Sequence, residues 1–357
     1  VADRRGRERA AVRAVARGSA AYAAGRATTG PLRARRQFSD PQSRVDEPGT
    51  HGGGPEVPMA AAERLCGVDG ARLMGSAVRA RLRGAGFDVS VFDVDTAKAA
   101  ALASIGARPV DSIAALASCP AVVLAVFNTD QVEAVVEGPG GLLDGIVAGS
   151  ASPVVICTST CDPDRLEALD RRQAPRGLRL LEVPVSGTSR QVAAGSGVGL
   201  VGGDRATMAA VAPVLDAICP ERHYLGAVGN GSRAKLAVNL VLGLNRAAMA
   251  EGLVFAERLG LEREAFLAVA RGSAAYSAVM ETKGPLMARR QFSEPQSRVD
   301  QSLKDFHLMI EQAAARGQPL PFAEVYARML ESCMALGEGA QDNALIVEAI
   351  ARCRRTG

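Results

Sequence analysis

Gly229-Asn-Gly-Ser-Arg-Ala-Lys235-Leu-Ala-Val-Asn239 divides this chain into two halves of different character. Its glycine-rich turn opens a long apolar helix, predicted over about 231 to 259. Before it, short apolar runs at 64–68, 88–93, 121–127, 153–158, 178–185 and 197–202 alternate with helical patterns at 74–85, 96–104, 111–118, 130–136, 162–173 and 204–218. That rhythm predicts a mostly parallel, doubly wound α/β sheet with helices on both faces. After about residue 226 the strand signals vanish. Helical patterns continue at 262–270, 301–316, 321–337 and 342–354, so an all-α C-terminal domain is expected over 227–357, following an α/β domain over 59–226.

The same stretch carries a candidate chemical group. Lys235 and Asn239 are four residues apart, which puts both side chains on one helical face, where an amide can orient an amine. The chain has 38 arginines and only four lysines, Lys98, Lys235, Lys283 and Lys304. Where arginine is the default cation, a retained lysine suggests a need for a group that can lose its proton. Burial or a neighbouring cation lowers a lysine pKa from about 10.4 towards neutrality. The bland alternative for Lys235 is a solvated residue on an amphipathic helix.

Composition narrows the class. The chain has 357 residues, 48% hydrophobic and 4% aromatic, enough for two domains with a sizeable core. No uninterrupted apolar run reaches ~18 residues, so a spanning helix is not expected. Seven cysteines form no CxxC pair and read as small buried hydrophobes of a reducing, cytoplasmic compartment. Cys157 and Cys161 have no further ligand nearby in sequence, so no metal is expected. His51, His223 and His307 are read as structural. The net charge of +4 comes from residues 1–47, whose eleven arginines against five acids leave the remainder at −2. That balance offers no basic face for nucleic acid.

The N-terminal segment is a partial copy from within: residues 17–46 match 271–300 at 23 of 30 positions. Arg33, Arg26 and Gly25 replace Met287, Met280 and Val279, removing the apolar stripe that a docking helix needs. We expect residues 1–58 to be a poorly ordered extension. An arm that mimics the C-terminal domain, or a targeting peptide, are the alternatives.

A nucleotide is expected at the first turn, Gly67-Val-Asp-Gly70-Ala-Arg72-Leu-Met-Gly75. Gly70 and Gly75 fill the first and third places of a dinucleotide-binding fingerprint, while Arg72 stands where a glycine normally lets the backbone approach the pyrophosphate. Asp93 ends the next strand, 23 residues after Gly70, where a carboxylate accepts from ribose hydroxyls. Val94 follows rather than an arginine, which favours NAD over NADP. Ser186-Gly187 ends a later strand and suits a carboxylate or oxyanion cradle. Ser159 and Thr160 end another, either facing a ligand or capping the helix that begins at Pro163.

In order, the cofactor turn, PVSGT, GNGSRAKLAVN and SLKDFHL resemble the β-hydroxyacid dehydrogenases, most nearly the 3-hydroxyisobutyrate dehydrogenase branch, across about residues 62 to 355. The resemblance implies a Rossmann domain, a long interdomain helix and an all-α domain that helps to form a homodimer or homotetramer. It implies that Lys235 is the catalytic lysine with Asn239 its hydrogen-bonding partner, and that Ser186, Gly187 and Lys304 hold a small carboxylate-bearing substrate. It implies cofactor contacts from Gly70, Met74, Gly75, Asp93, Phe127, Asn128, Thr160 and Asp305. The expected activity is NAD-dependent oxidation of a small β-hydroxyacid such as 3-hydroxyisobutyrate or L-threonate. An imine or semialdehyde reductase is the first alternative. A homologue impaired by Arg72 is the second.

Overall fold

The computed structural model describes residues 65–70, 73–95, 106–147 and 152–353, all within the unit Pro58–Gly357. The predicted helix at 96–104, Arg72 and the N-terminal extension lie outside the described residues.

Six parallel strands form the main sheet: β1 (Leu65–Asp69), β2 (Asp88–Phe92), β3 (Arg108–Pro109), β4 (Ala121–Leu124), β5 (Val154–Cys157) and β6 (Arg179–Glu182). Their order is β3-β2-β1-β4-β5-β6, so the chain reverses its direction of travel across the sheet between β1 and β4. A crevice opens at such a switch point, outside the carboxyl ends of the strands. The strands β4 and β5 are buried along their whole length, because helices cover both faces and leave no polar side.

Helices α1 (Leu73–Gly84), α2 (Thr129–Glu137) and α3 (Pro163–Gln173) follow β1, β4 and β5. Local chemistry starts two of them. The Asn128 side chain accepts from Gln131 N–H at the start of α2, and Asp162 accepts from Asp164 and Arg165 N–H ahead of Pro163 at the start of α3. A second, three-stranded sheet comprises β7 (Val185–Ser186), β8 (Val198–Val201) and β9 (Glu221–Tyr224), with α4 (Ser189–Ala193) inserted after β7. Thr188 and Gln191 form a capping box that fixes the entry to α4. The predicted helix at 204–218 is two shorter helices, α5 (Arg205–Ala210) and α6 (Ala212–Ile218), interrupted ahead of Pro213.

The long helix α7 (Asn230–Arg258) crosses from this α/β lobe into the helical lobe. Its first turn is held by Glu182 at the end of β6, a fully buried carboxylate. Glu182 accepts from Gly231 N–H at 2.8 Å, Ser232 N–H at 3.1 Å and Ser232 Oγ at 2.6 Å. Burial raises its pKa even against those three donors. The helical lobe adds α8 (Arg263–Arg271), α9 (Val279–Thr282), α10 (Gly284–Arg289), α11 (Val299–Ala314), α12 (Pro321–Ala335) and α13 (Ile346–Arg352). Its core includes Leu253, Phe306, Tyr326 and Leu330, with the Phe306 and Tyr326 rings edge to face at 4.6 Å.

By length and composition α7 is long and apolar enough to cross a bilayer, with a mean hydropathy of 1.2 over its best 18-residue window, a signal the sequence reading did not register. In the fold it packs against β7 and β8 at one end and against α11, α12 and α13 along the rest. All seven cysteines are free; six are buried as expected, and Cys353 is exposed. His307, read as structural, meets Glu331 at 2.9 Å on the surface.

Candidate active site

A cavity of about 750 Å³ lies at the switch point and extends between the lobes. Its α/β wall is made by the ends of three parallel strands: Met74 and Ser76 after β1, Ala125 to Phe127 after β4, and Thr158 to Thr160 after β5. Hydrogen bonds tie these loops together. Thr158 Oγ1 donates to Leu124 O and Ser159 Oγ to Val126 O, both at 2.8 Å.

The glycines of the first turn are where a dinucleotide needs them. Gly70 has φ = +101°, a left-handed conformation that favours glycine, and a Cβ there would come within 2.6 Å of Ala125 O. A Cβ at Gly75 would overlap Gly70 O, so only glycine lets α1 start this close to the turn. The Gly70 N–H donates to Phe92 O at 3.1 Å, which places Asp93 directly beside the turn. Asp93 Oδ1 accepts from Asp95 N–H at 2.8 Å, shaping the bend after β2. These residues fit a dinucleotide at two of the three fingerprint glycines and at the ribose carboxylate. The Asn128 side chain caps α2, and Asn128, like Gly70, Gly75 and Asp93, is not among the residues lining the cavity.

Lys235 enters the cavity from the second turn of α7. It is only 7% exposed, and its Nζ donates to Val185 O at 2.7 Å, one residue before Ser186. Burial pulls its pKa down to about 8; Asp305 opposes that shift and Lys304 adds to it. Ser186 and Gly187 line the same wall, with Gly187 at φ = +139° as the chain leaves β7.

Two residues are arranged differently from the sequence expectation. Asn239 does not hold the Lys235 amine: its Nδ2 donates to Asp305 Oδ2 at 3.2 Å, and a backbone carbonyl holds the amine instead. Lys304 does not point to the Ser186 cradle. Its ammonium donates to Phe127 O and Thr160 O, both at 2.9 Å, and meets Asp305 Oδ1 at 2.9 Å. Lys304 therefore bridges α11 to the two loops on the cofactor side, and Asp305 links it to Asn239.

The far wall of the cavity was not anticipated. Arg246, Lys283, Gln296, Ser302 and Asn343 line it from four separate segments of the helical lobe. Lys283 is buried against both oxygens of Asp342 at 2.8 Å. The one available signal was the scarcity of lysine, which marked Lys283 without assigning it a partner.

Comparison with known proteins agrees with this geometry. A profile described as the NAD binding domain of 6-phosphogluconate dehydrogenase matches residues 66–226, and one described as the NAD-binding domain of NADP-dependent 3-hydroxyisobutyrate dehydrogenase matches 229–350. The chain is 32% identical to L-threonate dehydrogenase of Cupriavidus necator over 80% of this chain and 95% of that protein. It is 28% identical to 2-(hydroxymethyl)glutarate dehydrogenase of Eubacterium barkeri over 79% of this chain and 93% of that one. The crystal structure of a 3-hydroxyisobutyrate dehydrogenase from Salmonella typhimurium aligns with a TM-score of 0.71 at 28% identity, covering 80% of this chain and 99% of that one. The chain belongs to the β-hydroxyacid dehydrogenase family of NAD(P)-dependent oxidoreductases.

Proposed function

We propose that the protein oxidises a small β-hydroxyacid to the oxo acid, with Lys235 as the group that exchanges the hydroxyl proton. The observation that carries this is a buried amine with its pKa down at about 8, beside the Ser186-Gly187 turn and within the cavity at the switch point. In its neutral form Lys235 accepts the hydroxyl proton through Nζ. The Val185 carbonyl holds Nζ in place, and Ser186 with Gly187 takes the substrate carboxylate. Lys304 orders the loops at Phe127 and Thr160, while Asn239 fixes Asp305 beside it. Gly70, Met74, Gly75 and Asp93 would hold the dinucleotide, whose nicotinamide would supply the hydride acceptor. Asp93 followed by Val94 supports NAD over NADP, because a carboxylate repels a 2′-phosphate.

The same pKa favours a second reading. Below about pH 8 the amine is mostly charged and suits an acid that protonates a nascent alkoxide. A semialdehyde reductase working near neutral pH needs that form. Exposed apolar side chains on α7 and α12, among them Val241, Phe255 and Phe322, support assembly into a homodimer or homotetramer.

The deciding assay follows NADH and NADPH formation over a panel of short hydroxyacids, and their consumption over the matching oxo acids and imines. Saturable oxidation of a β-hydroxyacid with NAD supports the first reading. Reduction alone supports the second. No saturable NAD binding at millimolar cofactor, with binding restored by Arg72→Gly, overturns both and identifies an impaired homologue.

A further inference from the structure

Lys235, Asn239, Leu242 and Arg246 all line the cavity from α7. They are spaced four, three and four residues apart, so they form one stripe along the helix. Over the eleven residue steps from Lys235 to Arg246 the stripe runs about 16 Å and turns by only about 20°. The amine that exchanges the proton stands at one end of this stripe and a guanidinium at the other.

Arg246 is 6% exposed, and its Nη1 donates to Tyr326 Oη at 2.9 Å. Its Nε is buried without a hydrogen-bond partner, and no carboxylate pairs with it among the described residues. The acids nearby are already engaged: Asp342 by Lys283, Asp300 by Arg298 and Asp305 by Lys304. Lys283 stands close enough to feel the Arg246 charge. A buried cation without a counter-charge is costly, and a buried donor without an acceptor adds to that cost. Asn343, also lining the cavity, has a buried Oδ1 without a partner while its Nδ2 donates to Ser302 Oγ at 2.8 Å. A serine hydroxyl serves equally as donor or acceptor, so this amide can turn its NH₂ towards an anion.

Resting on the dehydrogenase reading, we infer that the substrate carries a second carboxylate at the end remote from the reacting carbinol, received by the Arg246 fork with Asn343 beside it. The substrate class is thus a short hydroxy-dicarboxylate. A planar carboxylate matches two donors of a guanidinium at once.

The test compares kcat/KM for matched acids, 3-hydroxyadipate against 3-hydroxyhexanoate, with 4-phosphoerythronate as a third arm, for the wild type, Arg246→Gln and Arg246→Lys. The dicarboxylate should lead the monocarboxylate by about 10- to 100-fold, and Arg246→Gln should erase that ratio. Arg246→Lys, which keeps the charge without the fork, should lose less of it. A wild-type ratio near one, an equal fall for both acids in the variants, or preference for the phosphorylated acid overturns the inference. If no acid is turned over, the dehydrogenase reading has failed on its own, and calorimetry with the inert pair adipate and hexanoate decides. Binding of adipate alone, lost in Arg246→Gln, supports the carboxylate site; equal binding of both, or of neither, overturns it.

Discussion

Lys235 Nζ donates to the backbone oxygen of Val185 at 2.7 Å, so the amine of the interdomain helix is anchored to the strand that begins the Ser186 cradle. With its pKa at about 8, down from 10.5, this amine changes charge inside the accessible pH range. Oxidative kcat/KM should rise about tenfold per unit up to pH ~8 and then level, since the neutral form accepts the proton. Reductive kcat/KM should run the opposite way, level below that point and falling above it. Flat profiles in both directions would remove Lys235 from the proton transfer.

Replacing the amine should separate chemistry from binding. Lys235→Ala is expected to lower kcat by about 10²- to 10⁴-fold while NAD affinity, measured by calorimetry, stays within about threefold. Lys235→Arg should not rescue turnover, because a guanidinium does not release its proton. Residual activity within tenfold of the parent would reject the assignment.

The same burial should cost stability. Between about pH 8 and 10.5 the unfolded chain binds a proton at Lys235 that the folded chain does not, so this group's contribution to stability rises with pH across that window. Below it the penalty is complete. Lys235→Met should therefore be more stable than the parent at pH 7, by about 2–3 kcal/mol, with the gap closing towards pH 10. Denaturant titrations at the two pH values provide the check.

Glu182→Ala removes the one acceptor for Gly231 N–H, Ser232 N–H and Ser232 Oγ. A loss of roughly 2–4 kcal/mol is expected, read as a fall in the urea midpoint. Turnover should fall as well, since Lys235 lies one turn beyond Gly231. A variant as stable as the parent would show that water replaces the carboxylate.

Asp342→Ala strands the buried Lys283 ammonium and should destabilise by about 3–5 kcal/mol. Adding Lys283→Met should recover part of that loss. The recovery will be incomplete, because Asp342 also accepts from Gln296, Ser297 and Ala344 N–H. Simple additivity of the two changes would show that the pair is not coupled.

The parts of the fold set by neighbours in sequence were legible in it. The alternation of apolar runs and helical stripes located β1, β2, β4, β5, β6 and β8 within a few residues, and the turn at Gly229 located α7. The strand β9, Glu-Arg-His-Tyr, escaped because it is a half-exposed edge whose residues are mostly polar. Two-residue β3 carries too few positions to show any period. At the site, Lys235 and Ser186 line one cavity, and a neighbouring glycine marked each in the sequence: Gly229 and Gly231 ahead of the lysine, Gly187 just after the serine. Asn239 differed because spacing on one helix puts two side chains on one face without deciding what each will bond. Arg246 and Asn343 were invisible for a different reason: they come to line one cavity only after chain segments nearly 100 residues apart fold together, and neither sits in a recognisable motif.

The helix α7 is rooted by Glu182 in the α/β lobe and continues into the helical lobe, carrying Lys235 near its root and Arg246 three turns later. It behaves as a ruler whose zero mark is fixed and whose far graduations can be rewritten. On the readings proposed above, exchanging the residue at 246 should alter which acids are accepted while the proton still moves at Lys235. Diversification along such a scaffold can proceed by edits distant from the reacting atoms.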